Sequence, residues 1–80
     1  MKQWHWTDHI KLQMTERNIP KALIDLALSE PDKIVAGIHN REIYQKIIDQ
    51  KLLRVITQDS RLITVYFTDK IDKYMKGDRQ

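Results

Sequence analysis

The sequence predicts an α+β domain: two N-terminal helices packed on one face of a four-stranded antiparallel meander sheet, with a short helix at the C-terminal end. Two observations predict it. Apolar residues recur at helical spacing as far as Leu28, then at alternate positions after Pro31. The alternating part falls into four stretches separated by short polar turns, the order of a meander. Eighty residues fit one domain spanning 1–80.

Thr7 can cap a first helix reaching about Arg17, with Asp8 in its first turn and Ile10, Met14 and Leu12 turned inward. Asn18-Ile19-Pro20 breaks it, and Pro20 suits the start of a second helix over residues 21–28. That helix places Leu23, Ile24, Ala27 and Leu28 on its buried side, and residues 29–32 end it. Strands follow over residues 33–38, 41–48, 52–58 and 62–68, with turns at 49–51 and 59–61. Residues 69–75 form the short terminal helix and residues 77–80 a frayed tail.

Composition excludes several classes of protein. Apolar residues at 41% and charged residues at 31% suit a globular chain rather than a disordered one or a membrane span. The longest apolar-leaning runs, such as residues 62–67, fall far short of the ~18 residues a spanning helix needs. Residues 1–6 lack the apolar centre of a signal peptide, so a cytoplasmic domain is expected. Without cysteine there is no disulfide framework, thiol nucleophile or thiolate metal site. The core of so short a chain is small, which leaves room for a partner protein or a second copy to complete it.

The net charge of +3 is unevenly placed. Residues 1–40 hold Lys2, Lys11, Arg17, Lys21 and Lys33 against Asp8, Glu16, Asp25, Glu30 and Asp32, and cancel. The excess lies in residues 41–80, where Arg41, Lys46, Lys51, Arg54, Arg61, Lys70, Lys73, Lys76 and Arg79 outnumber six acids. Such a bias fits an anionic partner or a solvated, slightly basic surface.

Opposed residues in an antiparallel pair share a face, so the loop lengths decide which side chains meet. Three-residue loops at 49–51 and 59–61 keep Leu53, Val55, Ile63, Val65 and Phe67 together toward the helices. They put two rows on the other face: Lys46, Arg54, Tyr66 and Tyr44, Ile56, Thr64. Lys46 opposite Arg54 with no acid between them breaks a pairing rule, and a phosphate would resolve it. Otherwise the two stems splay into solvent over Tyr66.

His9, Gln13 and Arg17 lie at successive i, i+4 steps and form one polar stripe. His9 is either a surface residue or an acid or base, and Arg17 can equally pair with Glu16 or Asp25. His5 and His9 have a metal-binding spacing, but Thr7 as cap puts His5 outside the helix and no third ligand is evident; no metal or other cofactor is expected. Trp4 and Trp6 pack over the sheet edge or a helix, or one of them stacks on a base. Gly-rich phosphate loops, G-x-S-x-G and H-E-x-x-H are absent.

His9 followed by Met14-Thr15-Glu16-Arg17-Asn18-Ile19 resembles the H…M-x-x-R-x-I opening of the prokaryotic domain-of-unknown-function 4258 family. Glu30-Pro31-Asp32, Tyr44-Gln45-Lys46, Leu53-Arg54-Val55-Ile56 and Ile63-Thr64-Val65-Tyr66 resemble its later segments, so the likeness covers about residues 9–70. Arg17-Asn18 stands where that family usually has Arg-Gly. The family is similar in fold to the RelE and BrnT toxins and to barnase-like and colicin-like ribonucleases. The resemblance implies a metal-independent endoribonuclease, often the toxin of a toxin–antitoxin pair. Its partners would be RNA, including ribosome-bound mRNA, and an antitoxin protein.

Metal-free RNA cleavage needs a base for the 2′-hydroxyl, a cation for the pentavalent phosphate and an acid for the leaving 5′-oxygen. Lys46 and Arg54 can form the cationic clamp, His9 or Tyr66 can move protons, and Glu42 or Tyr44 can assist at the rim. Arg17, Tyr44, Thr64 and Lys70 are the expected RNA contacts around these four catalytic candidates. The competing expectation is a non-catalytic module of the same fold that binds RNA, a ribosome or a protein.

Overall fold

In the computed structural model, which describes residues 3–76, Thr7 opens the first helix. The expected tail at 77–80 lies outside the described residues. The Thr7 hydroxyl oxygen accepts from the Ile10 amide at 3.2 Å and donates its own proton to the Leu62 carbonyl at 2.6 Å. One side chain therefore both caps helix α1 (Asp8–Glu16) and ties it to the sheet. Ile10 and Gln13 are buried and Met14 half-buried. Leu12, expected inward, is 55% exposed, because two residues carry it roughly 200° round the helix from Ile10. Asn18 turns the chain with a φ of 53°, a left-handed conformation that asparagine tolerates. Helix α2 (Lys21–Ser29) follows Pro20 and buries Ile24 and Ala27.

Five strands form one mixed sheet: β1 (His5–Trp6), β2 (Lys33–Ala36), β3 (Arg41–Ile48), β4 (Lys51–Gln58) and β5 (Arg61–Thr68), in the order β1-β5-β4-β3-β2. Strands β2 to β5 are the expected antiparallel meander. The expected four-stranded sheet gains β1, which lies parallel to β5 and pairs His5 with Arg61 and Trp6 with Leu62. Two residues are too few to show a period, so this strand has no signature of its own. Helix α3 (Ile71–Lys76) forms as expected at the C-terminal end, and it packs on the sheet face opposite α1 and α2.

Each hairpin turn holds two residues with positive φ: His39 and Asn40, Asp49 and Gln50, Asp59 and Ser60. This geometry matches the right-handed twist of paired strands, which favours it over the expected three-residue loops. Between β4 and β5 a bulge at Ile56/Thr57 absorbs the difference, so Arg54 still faces Tyr66 and Ile56 still faces Thr64. No bulge intervenes between β3 and β4. Gln45 therefore faces Arg54, Tyr44 faces Val55 and Lys46 faces Leu53.

That single step moves every β3 side chain to the face opposite the expected one. Tyr44 joins the core with Ile10, Ile19, Ile24, Ala27, Leu53, Val55, Leu62 and Val65. Trp4 meets Tyr44 edge-on, their ring centres 5.4 Å apart, and Trp6 and Phe67 close the margins. A fully buried Leu or Ile here contributes about 1.5–3 kcal/mol of transfer free energy.

Candidate anion-binding face

The corrected register defines the rows on the face away from α1 and α2. The central row is Lys33, Gln45, Arg54, Tyr66, one residue from each of β2 to β5. Beside it run Val35, Ile43, Ile56, Thr64, and then Arg41, Gln58, Arg61 at the turn end. On its other side lie Ile47, Leu52 and Thr68. The ionisable side chains of these rows are Lys33, Arg41, Arg54, Arg61 and Tyr66, with no carboxylate among them.

Arg54 is the centre of this face and only 9% exposed. Its Nε donates to the Gln45 carboxamide oxygen at 2.7 Å and its Nη1 to the Tyr66 hydroxyl oxygen at 2.5 Å. The guanidinium lies over the Tyr74 ring of α3, 3.8 Å from its centre. All these partners are neutral, and among the described residues no group bonds Nη2. Aromatic faces offset part of the cost of burying a cation, but they do not neutralise it. The Tyr66 oxygen accepts from Arg54, which leaves its own proton free to donate outward. Helix α3 is seated on the same row: Lys33 Nζ donates to the Met75 carbonyl at 2.8 Å, and Gln45 Nε2 lies 3.6 Å from Met75 Sδ.

The other expected site residues separate. Lys46 is not opposite Arg54; it sits on the helix-covered face, where its Nζ donates to the Glu30 carbonyl at 2.9 Å. The two-residue turn at Asp49-Gln50 is the reason. Tyr44 is in the core rather than in a row with Thr64, and Glu42 shares its face. Arg17 Nη1 donates to the Val65 carbonyl at 2.9 Å, while Gln13 Oε1 accepts the Val65 amide at 3.1 Å and the Thr64 hydroxyl. Two members of the polar stripe on α1 thus occupy both backbone groups of Val65, a residue beyond the reach of β1, and block that strand edge. His9 is exposed one turn earlier on the same stripe. Lys70 is exposed at the approach to α3, its amide donating to the Thr68 hydroxyl at 3.2 Å.

Sequence reasoning brought Arg54, Tyr66 and Thr64 to the correct face and missed Gln45, Arg41, Arg61 and Tyr74 there. The signal for Gln45 was its place between Tyr44 and Lys46, legible only once the turn length is known. Among the described residues no three His, Cys, Asp or Glu side chains gather, and no helix is long and apolar enough to cross a membrane. No family model, curated protein or solved structure matches the chain. Its functional reading therefore rests on its own residues.

Proposed function

We propose that this chain binds single-stranded RNA on the Arg54 face and cleaves it without a metal ion. The observation that supports this reading is the buried Arg54 guanidinium, held rigidly by neutral partners with one amino group unbonded. A phosphate supplies the missing charge. Arg54 Nη2 and the Tyr66 hydroxyl are neighbouring donors for the oxygens of one phosphate, on which charge grows in the transition state. The 2′-hydroxyl attacks phosphorus and gives its proton to solvent water, while the 5′-oxygen leaves with the proton of Tyr66. Lys46, on the other face, takes no part. The proposed setting is a cytoplasmic toxin with RNA or ribosome-bound mRNA as substrate and an antitoxin protein as partner.

A second reading, a non-catalytic module that binds RNA, a ribosome or a protein, is favoured by one fact: neither His9 nor Lys46 bonds to the Arg54–Tyr66 pair. RNA incubated with the protein in excess EDTA, with and without ribosomes, separates the two. Cleavage that falls about 10²-fold in a folded Arg54→Ala variant supports the ribonuclease. Binding without cleavage selects the module, and neither activity rejects both.

A further inference from the structure

We infer that Arg41 and Arg61 form a second phosphate subsite, so that the part of this face beside α3 holds an extended RNA strand running from Arg54 to the turn end of the sheet. The inference rests on the RNA-binding reading above and names where the strand goes. Arg41 and Arg61 flank Gln58 in one row across β3, β4 and β5. The Gln58 amide nitrogen is spent on the His39 carbonyl at 2.9 Å, which fixes the side chain between them. Arg41 Nε is buried without a hydrogen-bond partner among the described residues. Gly37 gives the Arg41 stem its room, since a Cβ there would lie 3.2 Å from Arg41 Cβ. Arg61 is exposed.

Arg54 and Gln58 are four residue steps apart along β4, roughly 13 Å at the rise of a strand. Between the two cationic rows lies the row of Ile43 and Ile56, which carries no charge. Cation, apolar ground and cation in line suit a chain whose phosphates are spaced by flat bases, because apolar side chains can lie against base faces while guanidinium forks hold phosphate oxygens. Two carboxylates stand at this end. Glu42, which shares the opposite face with Thr57, and Asp59 in the turn line a cavity of about 460 Å³ together with Arg41, Asn40 and Ser60.

The test uses a fluorescent single-stranded RNA decamer and a dinucleotide carrying one phosphate, each titrated into the wild type, Arg61→Gln and Arg41→Gln. Arg61 is exposed, so its substitution leaves the fold in place, which a thermal melt verifies. The expected result is a loss of about tenfold in decamer affinity for each variant, a salt slope shallower by ~0.7, and unchanged dinucleotide binding. Unchanged decamer affinity in folded Arg61→Gln overturns the subsite while leaving the Arg54 reading intact. An equal loss for the dinucleotide overturns it as a general weakening of charge. Displacement of the decamer by polyglutamate more readily than by unlabelled RNA overturns it in favour of an acidic protein. A wild type that binds neither RNA overturns the subsite and the RNA reading together.

Discussion

Gln45 and Arg54 stand directly opposite each other on β3 and β4, and the Gln45 carboxamide oxygen accepts the Arg54 Nε proton at 2.7 Å. The same carboxamide reaches Met75 of α3 through its nitrogen. One side chain therefore orients the guanidinium and helps seat the helix that covers it.

Removing that acceptor has a definite cost. Gln45→Leu keeps most of the bulk and leaves Arg54 Nε buried and unsatisfied, so stability should fall by about 1–3 kcal/mol in chemical denaturation. Lys46→Ala removes an exposed bond to a carbonyl and should stay within about 0.5 kcal/mol of wild type. A Lys46→Ala variant clearly more stable than wild type would indicate relief of a like-charge pair and restore the other register.

The contrast between these neighbours shows where the sequence was legible. Thr7 and Pro20 mark their helix starts, and Val55 with Val65 leaves only one parity for the β4–β5 pair, so Arg54 and Tyr66 could be read onto one face, with the bulge at Ile56/Thr57 keeping them opposite despite the shorter turn. Strand β3 offers no such contrast: Ile43 and Ile47 lie on one parity, Tyr44 and Ile48 on the other. Both faces of the sheet are partly covered, one by α1 and α2 and the other by α3, so alternation lost its meaning there. Only the turn could decide, and Asp49-Gln50 lacks the glycine that announces a two-residue hairpin. With β3 inverted, Lys46 and Tyr44 were expected on the Arg54 face, and Gln45 and Arg41, which share it, were passed over.

Gln13 should behave as an edge protector rather than a helix-surface residue. Gln13→Ala leaves the Val65 amide and the Thr64 hydroxyl without their acceptor, a loss of about 1–3 kcal/mol. It also opens a strand edge to other chains, so light scattering should show concentration-dependent association absent from the wild type.

Thr7 serves two elements at once. Thr7→Ala should cost about 1–2 kcal/mol, the upper range for an N-cap, because the bond to Leu62 is lost with the cap. Thr7→Ser retains both bonds and should recover most of it in a thermal melt.

Tyr74 supplies the aromatic face beneath the Arg54 guanidinium. Tyr74→Leu should reduce stability by about 1–2 kcal/mol and speed hydrogen exchange at Arg54 Nε, while Tyr74→Phe keeps the ring and should change neither much.

The central claim is that the Arg54 guanidinium receives a phosphate, and the most direct measurement is the Arg54 Nε–H resonance followed by NMR. The dinucleotide with one phosphate is titrated against the matching nucleoside, which has none. A saturable shift with the dinucleotide and none with the nucleoside is the predicted result. No shift at millimolar dinucleotide, or the same shift with the nucleoside, would contradict it.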